Sequence, residues 1–282
     1  MIEDFAVFIC THGRPNSQHT YNALRKFGYT GKIYLVLDDT DITLPEYVNN
    51  YSEDIIVFDK QHYIDTADTA VRPPNIKTIL YAKLAVEDIA KYLGLTSFVI
   101  ADDDIKAFRV RYVENGSMHT LRTLPLDDVF AVYKEYLLTA GFTALGMCSN
   151  VQMIAGKSVF EPETITKFRV PYNFVFRNTS KEITWVSSYG EDIITAMNCG
   201  KIGQMMWCIP YGQIDMIPPG SCEEGGMSDM YESLSSFNLF FYDFLYNPGS
   251  IAMRQQKAKW NAHILKNNAF PKILSYTYRK ET

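Results

Sequence analysis

The chain has 282 residues, of which 47% are hydrophobic and 21% charged, and a formal net charge of −5. That length and balance fit a large α/β domain, alone or with an appendage, and exclude a disordered chain or one coated in basic surface. No run approaches the ~18 apolar residues of a spanning helix, and the acidic start Met1-Ile2-Glu3-Asp4 is unlike a secretory leader, so a cytoplasmic protein with no membrane insertion is expected. Five cysteines (Cys10, Cys148, Cys199, Cys208 and Cys222) are odd in number and widely spaced, which implies reduced thiols and no disulfide or zinc framework.

Residues 5–10, Phe-Ala-Val-Phe-Ile-Cys, form an apolar run typical of a strand covered on both faces. Thr11-His12-Gly13-Arg14-Pro15 reads as a turn, after which Asn16 or Ser17 caps a helix with Tyr21, Leu24 and Phe27 along one side. Gly28 and Gly31 break it. Residues 32–37 make a second strand ending in Asp38-Asp39, and residues 54–58 a third. Beyond a polar loop at Arg72-Pro73-Pro74, Asn75 caps a helix to about Leu93, with Ile76, Leu80, Leu84 and Ile89 as its apolar stripe. Residues 98–104 then read Phe-Val-Ile-Ala-Asp-Asp-Asp, a fourth buried strand that ends in three carboxylates. This alternation predicts a mostly parallel sheet with helices on both faces and right-handed connections.

After Asp104 the pattern changes. Residues 106–113 and 118–123, joined by Asn115-Gly116, predict a hairpin. A helix follows over 126–140, entered at Pro125 or capped by Asp127. Residues 143–154, 173–177 and 184–186 are strand candidates, and Gly190-Glu191-Asp192 opens a helix that Gly200 ends. The remainder is rich in Gly, Pro and aromatics; over 229–245 it is amphipathic, and Phe237, Phe240, Phe241, Tyr242 and Phe244 suit a core. Residues 253–282 hold seven basic residues and one acid, a local +6 on a body of −11, which suits a polyanion.

Four polar clusters fall where open α/β sheets gather ligands, at the carboxyl ends of strands or at a helix start. On an extended chain Asp102 and Asp104 share a face while Asp103 turns away. Adjacent carboxylates repel unless a cation or hydrogen bonds absorb the charge; a solvated acidic turn is the ordinary alternative. In the Thr11–Arg14 turn, Gly13 admits backbone approach and Arg14 can meet a pyrophosphate with paired donors. Asp38 and Asp39 can accept hydrogen bonds from a ribose or base, or simply cap a turn. The helix dipole at Glu191-Asp192 predicts a low pKa for Asp192, as a base or as a plain cap. Glu223-Glu224-Gly225-Gly226 could close over phosphates, or be an exposed turn.

Together, residues 5–15, Asp38-Asp39, Asp102-Asp103-Asp104 and Glu191-Asp192 resemble the GT-A fold of nucleotide-sugar glycosyltransferases, over roughly residues 5–205. The opening Phe-Ile-Cys-Thr-His-Gly-Arg-Pro, with Trp260-Asn261-Ala262-His263 and Pro271-Lys272-Ile273, is similar to the TET-associated glycosyltransferases, a phage-enriched group thought to decorate hydroxymethylated pyrimidines in DNA. The resemblance implies a Rossmann-like, mostly parallel central sheet with helices on both faces and a C-terminal α+β acceptor region. It divides the chain into a nucleotide-sugar-binding half (1–125), an acceptor-binding half (126–252) and a basic C-terminal segment (253–282).

The resemblance also implies Mn2+ or Mg2+ on Asp102 and Asp104, with His263 as a third ligand, and Thr11, Arg14, Asp39, Asp102 and Asp103 around the donor. The Glu191-Asp192 pair is implied to be catalytic and to face the acceptor, with Asp192 as the base of inverting transfer. The expected activity is metal-dependent transfer from a nucleotide sugar, a UDP-sugar, to the hydroxymethyl group of a modified pyrimidine in phage DNA, in the host cytoplasm. The same residues leave open a cell-surface or lipid-linked glycan acceptor, a nucleotidyltransferase lacking the usual Gly-rich loop with its Lys, or a polyanion binder without catalysis. For DNA, Arg254, Lys257 and Lys259 interleaved with Trp260 suit phosphate contact and stacking, and a base inside a duplex must be extruded.

Overall fold

Strand β1 (Phe5–Cys10) is buried along its whole length because alternate side chains feed two cores. Phe5, Val7 and Ile9 pack with Leu24, Leu126 and Phe130 on one face. Ala6, Phe8 and Cys10 pack with Leu80, Ala85 and Ala196 on the other. A strand covered twice needs no polar side, hence its unbroken apolar sequence. The protein is seen as a computed structural model that describes residues 4–51, 54–67, 78–121, 125–153, 156–161, 170–186, 188 and 191–217.

Strands β2 (Lys32–Asp38), β3 (Ile55–Phe58) and β4 (Ser97–Asp102) join β1 in parallel, in the order β3-β2-β1-β4. The helices among them are α1 (His19–Lys26), α2 (Leu44–Tyr51), α3 (Lys60–Thr66) and α4 (Leu80–Tyr92). The hairpin β5 (Ile105–Glu114) and β6 (Ser117–Leu121) turns through Asn115 and Gly116 at φ 49° and 72°, the left-handed pair that a two-residue turn requires. Helix α5 (Leu126–Thr139), β7 (Ala144–Ser149), β8 (Phe174–Asn178), α6 (Glu191–Lys201) and β9 (Met206–Met216) follow, with two short 3-10 turns at Asn150–Met153 and Gly156–Phe160 after β7.

The sheet runs β3-β2-β1-β4-β8-β7-β9-β5-β6. Its seam lies at β4–β8, where pairing turns antiparallel; beyond it, among the described strands, only β7 and β9 pair in parallel. The first half is therefore the uniform parallel block expected from the sequence, and the second is mixed.

Several local expectations change. Gln18, not Asn16 or Ser17, occupies the cap position of α1, and its side chain bonds Thr11 and Arg14 instead of the helix. Asp127 does not cap α5; it accepts from the Thr30 N–H at 3.0 Å and the Thr30 hydroxyl at 2.5 Å. Residues 184–186 are not a strand, and α6 runs through Gly200. Helices α2 and α3 and strand β9 were not anticipated. β9 tolerates Pro210 because the register with β7 jumps from Met147↔Ile209 to Cys148↔Gln213, so residues 210–212 bulge out of the β7 ladder while Gly212 still pairs with Val110 of β5. Gly212 is needed there, since a Cβ would stand 2.1 Å from the Tyr133 hydroxyl. The loop at Arg72-Pro73-Pro74, the Asn75 cap, Cys222, the 223–226 turn, the 229–245 stretch and the basic segment with His263 lie outside the described residues. The other four cysteines are buried and free.

Candidate active site

The parallel block sets the carboxyl ends of β1, β2 and β4 side by side, with Cys10 in register with both Val36 and Asp102. At the end of β4 the chain leaves the sheet through Asp103 and Asp104. Thr20 of α1 clamps this turn: its hydroxyl donates to the Asp102 carbonyl at 2.5 Å and accepts the Ile105 N–H at 2.9 Å, and its own N–H donates to the Asp103 carbonyl at 3.1 Å. From the far side, the Ile217 N–H donates to the Asp104 carbonyl at 3.0 Å.

The three carboxylates meet different surroundings. Asp103 is 6% exposed and turns toward the β1 loop, accepting from the Thr11 hydroxyl at 2.7 Å and Arg14 Nη1 at 2.8 Å. The Thr11 hydroxyl also meets Tyr47 Oη and Gln18 Nε2, each at 2.8 Å, so it serves the protein's own network. Asp102 accepts from the Asn173 side-chain amide, while the Asp102 N–H donates to the Asn173 carbonyl at 2.9 Å. Asn173 makes both contacts from a left-handed φ of 61°, which Asn adopts more readily than most residues. Asp104 Oδ1 is buried and, among the described residues, has no hydrogen-bond partner. Burial, then the negative charge of Asp104, pushes Asp102 up to about 7. Burial and Asp103 push Asp104 up to about 6.

At the end of β2 the two aspartates divide their roles. Asp38 lies 2.9 Å from His12 Nδ1 and accepts from the Thr40 N–H at 3.0 Å, the Thr40 hydroxyl and Lys60 Nζ at 3.3 Å. Burial raises its pKa, but these partners outweigh it and hold the carboxyl below its usual range. Asp39 is exposed, with the Lys60 N–H on its Oδ1 at 3.1 Å. Gly13, at φ 70°, donates its N–H to Asp41 at 2.8 Å, and a Cβ there would meet nothing within 4 Å, leaving its Cα open to close approach.

At the start of α6, Glu191 is buried and its Oε1 sits 2.7 Å from Lys83 Nζ. Asp192 is half-buried. The low pKa expected from the helix dipole does not hold: burial and Glu191 raise it to about 6, with Lys83 opposing. Burial overrides a helix-end effect that weakens quickly with exposure and distance.

The structure thus brings Thr11, Arg14 and Asp103 into one cluster, Asp102 and Asp104 into a second, and joins Glu191 to Lys83. Sequence reading missed Lys83, Asn173, Tyr47, Lys60 and Asp41. Lys83 carried a signal: Leu80, Lys83, Glu87 and Ala90 recur at helical spacing, and all four are buried. The stripe read instead through Leu84 and Ile89 is only partly buried.

Mn2+ or Mg2+ binds one or two carboxylates together with phosphate and water oxygens. Asp102 and Asp104 fit that donor set: the charge of Asp104 raises the cost of ionising Asp102, and Asp104 Oδ1 is buried with no hydrogen-bond partner among the described residues. Among the described residues no group of three or more His, Cys, Asp or Glu side chains forms a protein-only metal site. No helix among them is long and apolar enough to cross a membrane.

The structure of the mannosyltransferase PcManGT from Pyrobaculum calidifontis, in complex with GDP-Man and Mn2+, superposes with a TM-score of 0.51 at 11% identity, covering 95% of this chain and 72% of that one. S. aureus TarS 1-349 gives a TM-score of 0.41 at 12% identity over 99% and 92% of the two chains. GalNAc-T7 with UDP, GalNAc and Mn2+ gives 0.39 at 11% identity over 98% and 56%. No curated protein matches the sequence. A family model, TET-associated glycosyltransferase, matches residues 5–210. That match holds every strand-end acid described above and most of the chain, on a fold of GT-A type, and the chain belongs to the TET-associated glycosyltransferases.

Proposed function

We propose that this glycosyltransferase is divalent-metal-dependent and moves a sugar from a UDP-sugar to the hydroxymethyl group of a modified pyrimidine in DNA. The observation that carries the metal part is the Asp102–Asp104 pair, in which the charge of Asp104 opposes ionisation of Asp102 and a buried Asp104 oxygen has no partner among the described residues. Asp102 and Asp104 would hold Mn2+ or Mg2+, with His263 as a candidate third ligand. When bound, the metal supplies Lewis-acid neutralisation of the departing diphosphate.

The protein's own groups do the rest. Asn173 orients Asp102, and the Thr11–Arg14–Asp103 cluster fixes the loop over which the nucleoside lies, with exposed Asp39 within reach of its ribose. Asp192, poised near 6, is ionised at neutral pH yet more basic than an ordinary aspartate. It takes the proton of the acceptor hydroxyl as that oxygen bonds to the sugar's anomeric carbon and the bond to the diphosphate breaks. Residues 1–125 then serve as the donor half, 126–252 as the acceptor half and the basic segment 253–282 as the DNA contact, in the cytoplasm of the infected host. The net +6 of that segment is the support for a polyanionic acceptor.

The test is mass spectrometry of hydroxymethylated DNA incubated with the protein, Mn2+ and a panel of UDP-sugars. A hexose or pentose gained by the base is expected. Transfer to glycans alone would overturn the DNA assignment and keep the transferase.

A further inference from the structure

Behind the acid cluster, α4 turns Lys83 and Glu87 inward, at 3% and 6% exposure. Opposite charges four residues apart on a helix ordinarily pair with each other. Here they part. Glu87 accepts from Arg177 Nε at 2.6 Å and Nη2 at 3.0 Å, and from Trp185 Nε1 at 3.1 Å. Lys83 Nζ lies 4.6 Å from the Trp185 ring centroid and 2.7 Å from Glu191 Oε1. The result is a buried ladder, Arg177–Glu87–Trp185–Lys83–Glu191, with two charges of each sign, ending one residue before Asp192. Lys83 also lies in the field of Asp102 and Asp192.

A buried ion pair is a poor way to fasten two helices for stability alone, since apolar side chains of similar volume often do as well or better. Its position gives it another use. We propose that Lys83 is a positioning residue for sugar transfer: by drawing Glu191 into the ladder it fixes the first turn of α6 against α4, so that Asp192, about 100° further round the helix, faces the acceptor. Trp185 acts as the spacer, its N–H on Glu87 and its face under Lys83. This rests on Asp192 being the base.

The test compares the full-length wild type with Lys83→Met, Lys83→Arg and Lys83→Met/Glu191→Leu. Three quantities are read: hydrogen–deuterium exchange at residues 191–195, calorimetric affinity for UDP with Mn2+, and transfer to hydroxymethylated DNA. In Lys83→Met, exchange at the first turn of α6 is expected to rise ~10-fold. Affinity for UDP with Mn2+ should stay within about threefold, while kcat falls ~100-fold at unchanged KM, the cost of a misplaced reacting group. Lys83→Arg should restore protection and most of kcat, because a guanidinium can also reach Glu191. The double variant replaces the pair by apolar side chains and covers the case in which the single variant unfolds; it too should keep UDP affinity and lose kcat. Full turnover in the double variant, or unchanged α6 protection in Lys83→Met, overturns the proposal. If Asp192→Asn transfers normally, the base assignment fails and takes the positioning role with it; if Asp192→Asn loses kcat while Lys83→Met keeps it, the Lys83 proposal alone is overturned.

Discussion

Asp38, Asp41 and Asp103, which face the loops after β1 and β2, and Asp102 and Asp104 at the tip of β4 are the same residue type in opposite conditions. On the first side each has donors of its own: His12, Thr40 and Lys60 around Asp38, Gly13 and Thr43 around Asp41, Thr11 and Arg14 around Asp103. On the second, Asp102 draws on the Asn173 amide and Asp104 Oδ1 on no partner among the described residues. Their pKa values follow, with Asp38 held low and Asp102 and Asp104 pushed up to about 7 and 6. Satisfied carboxylates shape the loops, and unsatisfied ones store a charge that a ligand can relieve. Perturbed acids in such a place are candidates for chemistry.

The largest effect should come from Asp104→Asn. It is expected to abolish Mn2+-dependent UDP binding by calorimetry, a loss beyond the ~10–100-fold typical of residues that merely support a ligand. It should also raise the melting temperature of the ligand-free protein at pH 7.5, because a neutral amide ends the repulsion with Asp102. A variant that binds Mn2+ and UDP normally would break the comparison at its centre.

Next, Asp192→Asn should cost ~10²–10⁴-fold in kcat while leaving UDP affinity intact. If Asp192 is the base it works ionised, and since it titrates near 6, wild-type kcat should fall as pH drops below about 6. A flat profile from pH 5 to 8 would contradict that role.

Arg14→Ala probes the satisfied side. The Arg14–Asp103 pair is largely buried, with side chains 12% and 8% exposed, and removing one partner of such a pair costs ~3–5 kcal/mol. Urea denaturation measures it, and a loss below ~1 kcal/mol would show that Asp103 is not anchored as described.

The pH dependence of stability sharpens the contrast. Asp102, Asp104 and Asp192 have folded pKa values above the unfolded 3.8, so their contribution is fully present below that value and is lost as pH rises through 6 to 7. Asp38 behaves oppositely: its contribution holds above 3.8 and disappears as pH falls through its depressed value. The ligand-free melting temperature should therefore fall by a few degrees from pH 5 to pH 7.5, and Mn2+ with UDP should recover it. The smallest effect belongs to Lys32→Ala, whose partly exposed pair with Asp54, at 3.0 Å, should contribute under ~1 kcal/mol.

The parallel block was legible in the sequence because its strands are buried on both faces, and double burial writes an unbroken apolar run such as residues 5–10 or 98–101. The acids were legible because strand ends are where such a sheet gathers ligands. What could not be read was which acids are neutralised. Asp38 and Asp39 look alike in sequence, and only the fold brings His12 and Lys60 to one of them. Tyr47 went unseen because α2 is short and carries Pro45 in its first turn, where a proline is tolerated. β9 was hidden by Pro210 and Gly212, which a bulge accommodates. Trp185 looked like part of a strand, whereas its ring lies under Lys83 and its N–H on Glu87.

The most direct measurement is Mn2+ titration of the wild type and Asp104→Asn in the presence of UDP, followed by electron paramagnetic resonance of free Mn2+. The account predicts one UDP-dependent Mn2+ bound per wild-type chain and none in the variant. Equal Mn2+ uptake by both proteins, or UDP binding that ignores Mn2+, would contradict it.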